Sequence, residues 1–105
     1  MKSTLLRLQA WYARQCDGEW EHGHGVTVQS CDNPGWWVKV DLKGTLLVDR
    51  PFDRVAENVD SEGWQRGGRW LDCRVADSVW SGASDETQLE RIVEIFLSWA
   101  EATGS

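Results

Sequence analysis

Two alternating segments on either side of "NPGW" (33–36) constrain the fold more than any other feature of this sequence. Val26 and Val28 alternate with polar residues before the tetrapeptide, and apolar residues at 36, 38, 40 and 42 alternate with Trp37, Lys39 and Asp41 after it. A period of two is typical of a strand with one buried face. Pro34 and Gly35 suit the two central positions of a type II turn. The pattern predicts an antiparallel hairpin.

Helical periodicity occurs at both ends of the chain. Residues 4–16 place Leu5, Leu8 and Tyr12 on one stripe, with Ser3 as the N-cap and Asp17-Gly18 as the stop. A second helix follows Asp85 and Gln88, whose spacing is that of a capping box. Its wide apolar stripe consists of Leu89, Ile92, Val93, Phe96, Trp99 and Ala100.

Further strands are predicted at "TLLVD" (45–49) and "WLDCRVAD" (70–77), where "SGASD" ends the last one. Residues 50–69 have no sustained period, which indicates a long irregular connection with one helical turn around 53–58. The 105 residues fit one domain. We therefore expect a single α+β domain over residues 1–105, in which an antiparallel sheet of about four strands carries an N-terminal and a C-terminal helix.

The chain carries a formal charge of −6, which disfavours nucleic acids and anionic membranes as partners. The charge is uneven, since residues 1–16 hold three basic side chains and no acidic one, whereas residues 85–105 hold five acidic side chains and one basic. Two solvated helix faces of opposite sign, lying near each other, would account for this distribution.

Three widely spaced cysteines, Cys16, Cys31 and Cys73, do not form a disulfide framework and indicate a reducing compartment. The first fifteen residues lack the uninterrupted apolar core of a signal peptide, and no segment is apolar enough to span a membrane. The expected location is the cytoplasm.

The segment "CDGEWEHGHG" (16–25) concentrates residue types that bind metals or transfer protons. His22 and His24 would point to one side of an extended chain, but no other histidine and no thiol at ligand spacing completes a zinc site. Glu19 and Glu21 beside a tryptophan resemble the carboxylates of a sugar-cleaving cleft. A third hypothesis is a buried network of Asp17, Glu21, His22 and Asp32 that fixes the helix end to the hairpin.

Eight tryptophans are unusual in a chain of this length. Trp11, Trp36 and Trp99 lie on apolar stripes and are expected in the core. Trp37 and Trp70 lie on the opposite side of their strands, and Trp64 lies in the irregular connection. Exposed tryptophans beside charged residues are typical anchors of protein interfaces, although a helix could equally cover that face.

The segment "WYARQCDGEWEHGHGVTVQSCDNPGWWVKVDLKGT" (11–45) resembles the signature of the immunity protein 53 family of bacterial polymorphic-toxin systems. The later "WLDCRV", "GASD" and "LERIVEIFLSW" also fit, so the resemblance covers most of the chain. The sequence departs from the family pattern at Glu19, His24 and Ser30-Cys31. The departure at His24 weakens a His22/His24 metal pair as a family property.

The resemblance implies a cytosolic binder without enzymatic activity or cofactor, which neutralises a cognate toxin domain by occupying its functional surface. The expected partner is that protein, not a nucleic acid or a membrane, and the expected state is a monomer or weak homodimer. The candidate contact residues are Asp17, Glu19, Trp20, Glu21, His22, Asp32, Trp36 and Trp37. The alternative is a small carbohydrate-binding module or hydrolase that uses tryptophans and carboxylates.

Overall fold

A computed structural model of the chain describes residues 3–32, 34–59 and 69–101. Its helices are α1 (Thr4–Gln15), the single turn α2 (Trp20–Gly23) and α3 (Leu89–Glu101). Its strands are β1 (Val26–Cys31), β2 (Gly35–Asp41), β3 (Val55–Glu57), β4 (Leu71–Ala76) and β5 (Val79–Ser84). All strand pairs are antiparallel, and the order across the sheet is β1-β2-β5-β4-β3. The predicted α+β class, with terminal helices on an antiparallel sheet, is confirmed.

The core lies between the sheet and α3. Val38 and Val40 of β2 and Leu71 and Cys73 of β4 share this face with Trp80 of β5, and all five are almost fully buried. Burial raises the pKa of the Cys73 thiol to about 12, as expected for a cysteine that acts as a small core residue. The helix stripe of α3 fills the other side with Ile92, Val93, Phe96 and Leu97.

Helix α1 packs against α3, as the opposite charges of the two ends predict. Its N-cap is Ser3, whose hydroxyl accepts the Leu6 amide at 3.2 Å. The Arg7 guanidinium lies 2.7 Å from Glu94 Oε2 and 2.6 Å from Glu101 Oε1. Trp11 packs edge-on against Phe96, with their ring centroids 5.1 Å apart.

The hairpin of β1 and β2 is confirmed, but the predicted turn is wrong. Gly35 pairs with Cys31 as the first residue of β2, and its φ is not positive. Pro34 therefore lies in the connection, while Asn33 is outside the described residues. Glycine is required at 35 for space, because a Cβ there would lie 2.3 Å from the carbonyl oxygen of Ser84 on β5.

The predicted strand at 45–49 is wrong, since these residues form consecutive turns. The Thr45 hydroxyl donates to the Leu42 carbonyl at 2.7 Å and accepts the Leu47 amide at 3.1 Å, so local bonds replace a strand ladder. The predicted helical turn at 53–58 is also wrong, because residues 55–57 form the edge strand β3. Trp64 and the rest of segment 60–68 of the predicted loop lie outside the described residues.

The strand predicted at 70–77 is β4, but "SGASD" does not end the sheet, because β5 is its central strand. Asp77 and Ser78 both adopt positive φ and connect β4 to β5 tightly. A Cβ at Gly82 would lie 2.4 Å from Ile92 Cγ2, so this glycine lets α3 approach the sheet. Of the small residues that suggested a break, Gly82 faces α3, and its neighbours Ser81 and Ala83 face the other side of the sheet.

Asp85 and Gln88 form the turn that leads into α3, in a different arrangement from the predicted capping box. The buried Asp85 carboxylate accepts the Gln88 side-chain amide at 2.7 Å and the Thr87 backbone amide at 3.0 Å. The Trp70 carbonyl accepts both the Asp85 amide and the Gln88 side chain. This cluster joins the start of β4 to the start of α3.

Candidate functional site

The connector 16–25 is closed by two of its own carboxylates. Asp17 Oδ1 accepts hydrogen bonds from the backbone amides of Glu19 and Trp20, both at 2.9 Å, at the start of the turn α2. Glu21 reaches back to the amides of Asp17 at 3.0 Å and Gly18 at 2.9 Å. Gly18 has a φ of 95°, the left-handed conformation predicted for the end of α1.

These bonds explain the electrostatics of the connector. Amides of Trp20 and Glu19 hold the pKa of Asp17 below its ordinary value, because they stabilise the charged form. The pKa of Glu21 is lowered by its own amide and by those of Asp17 and Gly18. Both side chains therefore stay negative while they hold the loop together. Glu19, whose side chain is exposed, lies between them.

Trp20 is the residue that this connector positions. Its indole is only 7% exposed, and its Nε1 donates to the Lys43 carbonyl at 2.9 Å. Trp11 meets it edge-on at 6.3 Å between centroids, and His24 stacks on it at 5.9 Å. Gly44 has a φ of 83°, and a Cβ there would lie 3.1 Å from Trp20 Cδ1. The connector thus attaches to the core through one buried ring.

The two histidines of the connector have different surroundings. His24 stacks on Trp20, and its Nδ1 lies 3.3 Å from the Trp20 carbonyl oxygen, whereas His22 is exposed. Across residues 3–32, 34–59 and 69–101, no three His, Cys, Asp or Glu side chains are arranged to hold a metal ion. The ring of His24 thus has a structural contact that accounts for its position.

The remaining candidates lie at the far end of the β1–β2 hairpin. Asp32 is exposed in the connection between the strands. Trp36 is half-buried on the helix side of the sheet, where its Nε1 donates to the Glu86 carbonyl at 3.1 Å. Trp37 lies on the opposite face, is 40% exposed, and has Lys39 Nζ 4.0 Å from its ring centroid.

The structure therefore divides the candidate residues into two groups. Asp17, Glu19, Trp20, Glu21 and His22 precede β1, and Asp32, Trp36 and Trp37 follow it. Six strand residues separate the groups, a length of about 20 Å at the usual rise. A buried network that joins Asp17, Glu21, His22 and Asp32 is wrong, because these side chains are exposed or half-buried and Asp32 lies at the other end of the strand.

The face of the sheet opposite α3 carries a shallow cavity of about 270 Å³. Ala83 and Ser81 of β5 form its floor, with Trp37 on one side and Asp72 and Arg74 on the other. Although partial burial opposes it, hydrogen bonds from Arg54 and Arg74 lower the pKa of Asp72. Among the described residues, the lining of this cavity includes one carboxylate, which is held by two arginines, so the described part of the lining lacks the carboxylate pair of a glycosidase.

A second surface was not singled out by the sequence. Leu5 and Tyr12 of α1, expected on a buried stripe, are 72% and 36% exposed, and Val28 of β1 is 45% exposed. Leu8 and Trp11 of α1 are buried as expected, and Thr4 is buried with them. The run "VTVQSC", which has no charged residue, was the available signal that β1 differs from an ordinary sheet edge.

No helix in the described part of the chain is long and apolar enough to cross a membrane. Comparison with curated proteins and with solved structures gives no match. The model of one family, immunity protein 53, matches residues 5–101, which is nearly the whole chain. The family description implies a role in neutralising a toxin protein. The match includes both groups of candidate residues and all the described helices and strands except the first residue of α1, so the chain belongs to the immunity protein 53 family.

Proposed function

We propose that this protein binds the toxic domain of a cognate bacterial polymorphic toxin in the cytoplasm and neutralises it by covering its functional surface. The observation that carries this proposal is the family match over residues 5–101. The mechanism is stoichiometric binding without enzymatic activity and without a cofactor. The exposed members of the two residue groups supply the contacts, and the buried Trp20 holds the first group in place.

Electrostatics supports a basic toxin surface as the target. The chain carries a charge of −6, and the connector presents three carboxylates, of Asp17, Glu19 and Glu21, within five residues. Asp32 adds a fourth at the other end of β1. A negative surface accelerates encounter with a positive one, and this acceleration weakens as salt increases. A nuclease, whose substrate is also negative, is a toxin class that fits this charge.

Trp37 is the strongest candidate anchor. Its ring is large and 40% exposed, and it stands beside the cavity on the sheet face opposite α3. Aromatic side chains of this kind contribute a disproportionate share of binding energy when a partner buries them. Lys39 lies against the same ring and restrains it, so less side-chain entropy is lost on binding.

The test uses the toxic C-terminal domain encoded beside this chain's gene. Co-expression should restore growth of cells that produce the toxic domain, and titration should inhibit the purified domain at a 1:1 ratio. Trp37→Ala should weaken the complex by at least about tenfold. Leu46→Ala, at a leucine that is 94% exposed on another part of the surface, is the matched control and should leave affinity unchanged. Absence of both a complex and protection would reject the proposal.

A further inference from the structure

The two edges of the sheet are built differently. The β3 edge has only three residues, and ion pairs surround it, since Arg54 binds Asp72 and Glu57 binds Arg91. Short length and charge are the usual means by which proteins protect a sheet edge from further pairing. The β1 edge has six residues, none of which is charged or a proline. It has neither form of protection.

The backbone of β1 presents free hydrogen-bonding groups at alternate residues. The Asp41 amide donates to the Gly25 carbonyl at 3.1 Å, which sets the phase of the ladder between β1 and β2. Because antiparallel bonds alternate, Thr27 and Gln29 also bond to β2. Val26, Val28 and Ser30 then direct their N–H and C=O groups away from the sheet. In the described ranges of the chain, no other strand pairs with this side.

An apolar groove runs alongside the same edge. Helix α1 is drawn toward α3 by Arg7 and Trp11 and leaves the helix side of β1 partly uncovered. The resulting cavity is about 450 Å³ and is lined by Leu5, Leu8, Gln9, Tyr12, Gly25 and Val26. Val28 continues this apolar surface along the strand and is 45% exposed. Side chains from an added strand would therefore meet a partly formed apolar wall.

We propose that the toxin contributes an extended segment that pairs with β1 as a sixth strand of the sheet. This inference rests on the proposed function and names the surface and the kind of partner segment involved. Backbone bonds to Val26, Val28 and Ser30 provide the pairing, as in other cases of strand addition. Apolar side chains at alternate positions of the segment enter the groove between α1 and β1, and basic residues flank them.

Charge identifies the toxin segment, and not a second copy of this chain, as the occupant. The Gly25 end of β1 is acidic, because four carboxylates lie around it and are only partly balanced by the basic Arg14 and Lys43. The four are Asp17, Glu19, Glu21 and Asp41. Asp32 adds a negative charge at the other end of the strand. Antiparallel pairing of two β1 strands would bring the Asp32 end of each copy against the acidic end of the other. A segment with basic ends is attracted to both ends of the strand.

The experiment measures binding of the toxic domain to variants of the edge. Val28→Lys places a charge on the apolar surface that continues the groove along β1 and should weaken the complex by at least about tenfold. Leu46→Lys is the control, because it puts the same charge at an exposed apolar residue away from β1, and affinity should stay within about threefold. Val28→Pro removes one outward N–H without breaking a bond to β2 and should also weaken binding.

Hydrogen exchange provides a readout that does not depend on the variants. In the complex of the native chain, the amides of Val28 and Ser30 should become protected, while the Ala56 amide on the β3 edge should not. Unchanged exchange at β1 in a complex that does form would overturn the inference and leave the proposed function standing. A dimer of the chain alone that Val28→Lys abolishes would also overturn it, because the occupant would be a second copy. Failure of the native chain to bind the toxic domain would reject both proposals.

Discussion

Asp17 and Glu21 close one short loop from its two ends, because each carboxylate accepts hydrogen bonds from backbone amides that lie toward the other residue. Asp17 bonds forward to the amides of Glu19 and Trp20, and Glu21 bonds back to those of Asp17 and Gly18. A segment rich in catalytic residue types is thereby explained by its own closure. The pair also delivers the Trp20 ring to the core.

Loss of either carboxylate should destabilise the protein. Glu21→Ala leaves the amides of Asp17 and Gly18 without their acceptor, and we expect the melting temperature to fall by roughly 2–4 °C, as for an exposed helix cap. Glu19→Ala, in the same loop, should leave the melting temperature unchanged. Equal melting temperatures for the two variants, measured by circular dichroism, would show that the bonds to Glu21 contribute nothing to stability.

Gly35→Ala should be strongly disruptive, although the residue has an ordinary strand conformation. The added Cβ would lie 2.3 Å from the Ser84 carbonyl oxygen and 3.2 Å from Cys31 Sγ, and the backbone oxygen cannot move away without breaking the sheet. We expect a loss of about 1–3 kcal/mol in the free energy of unfolding. Gly23→Ala meets no atom within 4 Å and should be neutral or slightly stabilising. Chemical denaturation of both variants makes the comparison.

Asp85 should make the free energy of unfolding depend on pH in the acidic range. Despite desolvation, hydrogen bonds from Thr87 and Gln88 lower the pKa of this carboxyl to about 2. The unfolded chain has a value of about 4, so the stabilisation is complete above that pH and is lost as the pH falls from about 4 to 2. Asp85→Asn should flatten this part of the stability profile, whereas Asp53→Asn, at an exposed aspartate, should preserve it. Denaturant titrations across this pH range would reveal whether the two profiles differ.

Substitution of Trp20 should affect mainly the stability of the protein, whereas substitution of Trp37 should affect mainly toxin binding. Trp20→Ala empties a buried site and should cost about 3–5 kcal/mol of unfolding free energy. Trp37→Ala should change stability by only about 0.5 kcal/mol, because the ring is 40% exposed, while it weakens the toxin complex. Measuring unfolding and toxin affinity on both proteins tests the assignment, which fails if Trp37→Ala binds normally.

The elements that the sequence predicts well are those with a sustained apolar period. β2 and α3 bury their alternate and helical stripes as expected, because burial dominates their conformation. β5 has small residues, among them Gly82, where a strand pattern would require large apolar ones. The side chain of Ile92 on α3 occupies the space that a larger residue at position 82 would need. The place of β5 at the centre of the sheet depends on contacts with Ile92, ten residues away in sequence, and is not visible locally.

The candidate site shows a similar limit. The residue types of the connector suggest metal or acid–base chemistry. The sequence does not reveal that backbone amides donate to Asp17 and Glu21, because these bonds depend on the three-dimensional path of the loop. The stripe of Leu5, Leu8 and Tyr12 is a correct helical pattern, but the burial of each residue depends on the position in which α1 packs against α3. Periodicity identifies an apolar face and does not reveal whether the chain covers it.

The unprotected β1 edge also has a colloidal consequence. A strand of six uncharged residues at a sheet edge can pair with the same strand of another copy. Each copy has a net charge of −6, and electrostatic repulsion between copies opposes such pairing. Salt screens this repulsion, since the Debye length falls from about 10 Å at 0.1 M to about 3 Å at 1 M. The acidity that favours the proposed basic partner thus also opposes association between copies of this chain.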